Sequence, residues 1–167
     1  MKFLFPFFIL LLVGCGYKPS DYYQHKIIGK EIKPVVKISA KIPKKTIFLK
    51  DALNDAIYTV FNANISNENP NTVIILDIIS DNLEALDYDK NGFPILYRSN
   101  VSIKATVTDK YGKKHVYKIK SSYDFAVSAN TIINDQLKYD AFKQASINAL
   151  NKLLAKITED GIKNGND

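Results

Sequence analysis

Two stretches of this chain alternate apolar and polar residues with a period of two, and a turn signal separates them. Ile95, Tyr97, Val101, Ile103, Ala105 and Val107 fall on one side of the first, against Arg98, Asn100, Ser102, Lys104, Thr106 and Thr108. Tyr117, Ile119, Tyr123, Phe125 and Val127 fall on one side of the second, against Lys118, Lys120, Ser122 and Asp124. Side chains of a strand point alternately to its two faces, so both stretches predict strands with one buried and one wet face. Between them, Lys110-Tyr111-Gly112 reads as a three-residue hairpin loop with Gly112 at its positive-φ position. That loop sets the register. Asp109 faces Lys113, Ile103 faces Ile119, Ala105 faces Tyr117, Arg98 faces Asp124, Ser102 faces Lys120 and Lys104 faces Lys118.

The neighbouring segments extend the pattern. Thr72 to Tyr88 holds the β-branched run Val73-Ile74-Ile75-Leu76-Asp77-Ile78-Ile79, and Asn91-Gly92 follows as a second hairpin signal. Three strands in an antiparallel meander result. Val35 to Ile42 alternates as well and predicts a first strand with a basic face, closed by Pro43. Thr46 is placed to cap a helix whose stripe is Leu49, Ala52, Leu53, Ala56, Ile57, Val60 and Phe61, at helical spacing. Asn62 to Asn71 reads as a loop. A final helix spans about Asp135 to Asp160, with Phe142, Ala145, Ala149, Leu150, Leu153 and Ile157 on its stripe and Ile147 and Leu154 widening it. Gly161 can end that helix in the left-handed conformation. The order β-α-β-β-β-α, with one apolar face per element, predicts an α+β fold. It is a two-layer sandwich of a four-stranded mixed sheet with both helices on one face. At 167 residues and 46% hydrophobic, the chain supports one core.

The amino end sets an expectation about compartment. After Met1-Lys2 comes an apolar run from Phe3 to Gly14, too short for a comfortable transmembrane helix of about 20 residues and interrupted by Pro6. It has the form of a secretory signal peptide. Leu12-Val13-Gly14-Cys15 resembles a bacterial lipobox, in which the Cys is acylated and the signal is removed before it. Cys15 is the single Cys of the chain. Residues 1–14 then form a signal peptide, 15–34 a lipidated tether, 35–160 one domain and 161–167 a mobile tail. Gly16 follows the Cys where an inner-membrane retention signal would carry Asp, which favours the outer membrane.

No reactive constellation is legible. His25 falls in the tether and His115 beside a turn, neither with an evident partner. No GxSxG, P-loop, HExxH or GxGxxG pattern occurs. Asp77 and Asp81, four apart on one strand, would share a face, where carboxylates are ordinarily solvated. The reading is of a protein that is not an enzyme and uses no cofactor, no metal and no nucleic acid. The net charge of +6 leaves room for an anionic partner. Lys104 opposite Lys118, with Lys120 and with Arg98 alongside, forms the candidate anion site. Lys37 and Lys41 would extend it if the first strand lies near. Tyr22, Tyr23 and Tyr88 are candidate contact residues.

A lipobox Cys15, then Gly16-Tyr17-Lys18-Pro19, then β-α-β-β-β-α resembles the LptE family of lipopolysaccharide-assembly lipoproteins. Leu49-Lys50-Asp51-Ala52-Leu53 and Tyr88-Asp89-Lys90-Asn91-Gly92 add to the likeness. The resemblance implies an outer-membrane lipoprotein, anchored on the periplasmic side, that plugs and helps assemble the LptD β-barrel. It also implies help in moving lipopolysaccharide to the surface, with lipid A phosphates held by basic groups. The alternative reading is a lipid-anchored scaffold or pilot protein of another secretion or pilus machine. A hydrolase or ligand carrier would need a pocket that assembles only in three dimensions.

Overall fold

The computed structural model describes residues 20–38, 43–128 and 133–163, with the side chains of residues 20–22 left out. The elements are α1 (Ser20–Ile27), β1 (Glu31–Val36), α2 (Pro43–Thr59), β2 (Asn64–Ile65), β3 (Thr72–Tyr88), β4 (Pro94–Thr108), β5 (Lys114–Ala126) and α3 (Asp135–Lys163). The sheet order is β2-β1-β3-β4-β5. β1 is parallel to β2 and β3, and β3, β4 and β5 are antiparallel. The fold is an α+β two-layer sandwich with a mixed sheet.

Both hairpin turns have the same construction. Gly92 and Gly112 take φ of 82° and 84°, where a side chain would be strained. Asn91 does not share the positive φ, so the first turn is a three-residue loop like the second and not a two-residue Asn-Gly turn. Asp89 and Asp109 open the two loops. Asp89 Oδ1 accepts the N–H groups of Asn91 and Phe93 at 2.9 and 2.8 Å, and Asp109 Oδ1 those of Tyr111 and Lys113 at 2.8 Å each. These bonds satisfy turn donors that no strand can reach.

One sheet face carries Ile32, Ile74, Leu76, Val101, Ile103, Ala105, Val107, Tyr117 and Ile119, all buried. They form a single core with Leu49, Leu53 and Ile57 of α2 and Phe142, Leu150, Leu153 and Ile157 of α3. Helices and inward strand residues therefore share one layer boundary. Each fully buried large apolar side chain contributes about 1.5–3 kcal/mol.

Several expectations are corrected. The sheet has five strands, because Asn64–Ile65, expected within a loop, pairs with Glu31–Ile32. The first strand occupies 31–36 and not 35–42, and residues 39–42 lie outside the described part. The span 15–34 is not simply a tether. It contains α1, whose end buries Ile27 and Ile28. An eight-residue polar helix has little stability of its own. Here Lys110 of the second turn holds its last carbonyls, with Nζ donating to His25 O at 2.9 Å and the backbone N–H donating to Ile27 O at 3.3 Å. Thr46 lies inside α2, which begins at Pro43, the residue type best suited to a first helical turn. Gly161 does not end α3, which continues to Lys163. The lack of a side chain at Gly161 lets the α1 backbone at Tyr23 approach, since a Cβ there would overlap the Tyr23 carbonyl. Residues 164–167 and Cys15 lie outside the described residues.

Candidate functional site

The outward residues of β3, β4 and β5 build the site in rows. The register places Asp77 beside Lys104 and Lys104 beside Lys118. In the next row Ser80 neighbours Ser102, and Ser102 neighbours Lys120. Lys37, just past β1, reaches Asp77 with Nζ–Oδ2 at 3.4 Å. A row of Lys37, Asp77, Lys104 and Lys118 thus crosses the sheet with one carboxylate among three ammonium groups. Lys41, the other expected extension, lies outside the described residues. All cross-strand pairs read for the second hairpin occur as expected, including Lys104 with Lys118 and Arg98 with Asp124.

Arg98 does not join this group. It lies six residues along β4 from Lys104, about 20 Å away at the rise of a strand. Its Nε and Nη2 donate to the two oxygens of Asp124 at 2.7 Å each. The hydrogen bonds and charge of Asp124 raise the guanidinium pKa, and Arg98 in turn lowers that of the Asp124 carboxyl. A fork–fork pair already neutralises the charge that a second anion would seek.

Lys114 was not read from the sequence as part of the site, although strand parity puts it on the same face, beside Thr108. The outer face is also less polar than its sequence implies. Val35 neighbours Ile75, Ile75 neighbours Thr106, and Thr106 neighbours Val116, which is 57% exposed. This largely apolar row lies directly beside the Lys37–Lys118 row. Phosphate groups with attached hydrocarbon would meet both chemistries there.

The two carboxylates expected to share a face do not. The β3 ladder is bulged between Ile78 and Ser80, leaving Ile79 exposed. One extra residue flips the parity beyond it. Asp77 stays outward, and Asp81 turns to the core side, where Lys45 of α2 pairs with it.

His115 does have a carboxylate partner. Its Nε2 lies 2.9 Å from Asp109 Oδ2, both side chains mostly buried. Its ring stacks on Tyr117, whose hydroxyl donates to Asp160 Oδ2 at 2.9 Å. Burial and the Asp160 bond push the phenol well above its ordinary pKa, so it remains a donor. These groups tie the turn to α3, and no nucleophile stands among them. Of the expected contact tyrosines, Tyr88 is 54% exposed near the tip of the first hairpin, and Tyr23 lies in α1. Among the described residues no group of three or more His, Cys, Asp or Glu could hold a metal ion. Nor is any helix there long and apolar enough to cross a membrane.

No protein-family model matches the chain, and no curated protein matches its sequence. Solved structures do match its fold. A protein from Caulobacter crescentus described as a lipoprotein aligns with TM-score 0.54 and 12% identity, over 86% of this chain and 96% of that one. A minor lipoprotein from Acinetobacter baumannii aligns with TM-score 0.51 and 12% identity, over 80% and 94%. A Xanthomonas campestris protein aligns with TM-score 0.55 and 10% identity, over 85% and 90%. The chain has a fold that bacterial lipoproteins also use.

Proposed function

We propose that this chain is a lipid-anchored envelope protein of the lipopolysaccharide-assembly type. In this reading Cys15 carries the acyl chains and holds the protein at the periplasmic side of the outer membrane. The folded domain plugs and helps assemble an LptD-type β-barrel, and its outer sheet face receives lipid A phosphates on the way through. The observation that carries the reading is the register that sets Lys104 directly against Lys118, next to an apolar row, on the sheet face opposite the core that α2 and α3 cover. The lipobox at Cys15 and the fold shared with lipoproteins support the compartment. Two or three acyl chains, at about 0.8 kcal/mol per buried CH₂, would make the anchoring effectively permanent.

The experiment is crosslinking in cells followed by purification in mild detergent. A large β-barrel protein is expected to come down with the tagged chain, and mass spectrometry should find Cys15 acylated as the new amino terminus. A tagged chain recovered alone, with its amino end uncut, ends the proposal. Recovery with a secretion or pilus component, while surface lipopolysaccharide stays normal on depletion, favours the scaffold or pilot role.

A further inference from the structure

We propose that the β1 edge of the sheet is a docking groove for an extended peptide strand of a partner protein. The two edges of this sheet are treated differently. On β5, residues with outward side chains also direct their N–H and C=O groups away from β4. Two of those carbonyls are occupied, Ser122 O by Asn148 Nδ2 at 3.1 Å and Lys120 O by Lys152 Nζ at 3.1 Å. Side chains of α3 thus blunt that edge against pairing.

Among the described residues the β1 edge has no such guard. Even-numbered residues of β1 face away from β3. Lys30 O and Ile32 O accept from Asn64 N and Ser66 N of the β2 segment at 2.7 and 3.0 Å. The ladder stops there because Pro34 has no N–H to offer. Pro34 O and both polar groups of Val36 remain on the edge with no partner among the described residues. Beside them runs an apolar groove of about 340 Å³ between β1 and the first turns of α2, lined by Pro34, Val36, Ile38, Ile47 and Lys50 among others. Ile38 and Ile47 are 84% and 61% exposed.

An open strand edge flanked by a helix admits an added strand, with main-chain bonds giving affinity and alternate side chains entering the groove. The geometry offers three bonds, accepted by Pro34 O and Val36 O and donated by Val36 N–H. Ile38 and Ile47 take an apolar side chain. Lys50, which pairs with no carboxylate among the described residues, takes an acidic one. The occupant is therefore an extended segment with an apolar residue two positions from an acidic residue.

The test is amide NMR and hydrogen exchange on the full-length protein, titrated with a short synthetic peptide of alternating Val and Thr ending in Glu. The Val36 amide is expected to shift and its exchange to slow by about tenfold at saturation. Ile47→Glu alters an exposed side chain and should leave the circular dichroism unchanged while weakening the peptide by about tenfold. Val36→Pro removes the outward donor on an edge that tolerates proline, and should abolish the binding. Absence of shifts at millimolar peptide, or shifts on β5 in place of Val36, overturns the proposal. Binding indifferent to Ile47→Glu does the same. Two other occupants would also refute it. Detergent monomers that move Ile38 and Ile47 without protecting Val36, while the peptide does nothing, mean an acyl chain. Val36 protection that grows with protein concentration alone means a second copy.

Discussion

Asp109 does the work of three residues. One oxygen ends two backbone N–H groups of the turn and the other faces His115. Burial pushes its pKa upward, but hydrogen bonds from His115, Lys113 N and Tyr111 N, with the charge of the imidazole when protonated, outweigh burial and hold it below the ordinary carboxylate value. A depressed carboxyl contributes stability that is present above its unfolded pKa, near 4, and is lost as pH falls through the folded value. Acid denaturation should therefore begin below about pH 4, and Asp109→Asn should flatten that loss in chemical denaturation series run at several pH values. At neutral pH Asp109→Ala is expected to cost about 2–3 kcal/mol, more than Asp89→Ala at the more open turn, because its orphaned donors have less access to water. Gly161→Ala should lower Tm although alanine favours helices by up to about 1 kcal/mol, since the added carbon meets the Tyr23 carbonyl. A raised Tm would show that α1 moves aside at little cost. Asp109 was legible as a turn residue, and its partner was not. Six residues separate it from His115, and only the closed hairpin brings them together.

At the scale of elements, the second hairpin was readable in full because its loop length fixes register and its alternation fixes face. The same reading located Lys104 against Lys118. The double variant Lys104→Glu with Lys118→Glu is expected to keep its circular dichroism and bind lipopolysaccharide roughly tenfold more weakly in a pull-down or titration. Unchanged binding by a folded variant removes these lysines from the proposed role. The carboxylate that Lys104→Glu introduces would also lie directly across from Asp77, a like-charge pair, so stability should fall modestly, by a few tenths of a kcal/mol. β3 was less readable. The bulge at Ile79 lies in a run of β-branched residues that carries no mark of an extra position, and it reversed the face of Asp81. α1 and β2 were missed for a related reason. A short, mostly polar helix and two strand residues have no periodicity to detect, and contacts with Lys110 and with β1 hold them in place.

The whole molecule has two ends. Strand β4, at 15 residues, spans about 50 Å. At one end the Asp109–Lys113 turn grips α1, the first described element after Cys15. At the other, the Asp89–Phe93 turn and the exposed Tyr88 and Phe93 form a tip. Tyr97, Phe125 and Tyr123 stack along the core-side face, with ring centroids 5.8 and 6.4 Å apart. Deleting residues 1–27 should destabilise the domain by several kcal/mol, because Ile27 would be removed and Ile28 exposed, each buried side chain counting for about 1.5–3 kcal/mol. Urea midpoints of the trimmed and full chains check this, and equal midpoints would make α1 a passive strap. What the sequence determined by itself was local. Period-two and helical spacing fixed the main strands, both large helices, the fold class and one hairpin register, because each of these follows from which face of a single element must leave water. The tertiary structure alone decided where β1 sits, which carboxylates pair, and which sheet edge is guarded. Those depend on contacts between residues far apart in the chain, and no local pattern encodes such distances.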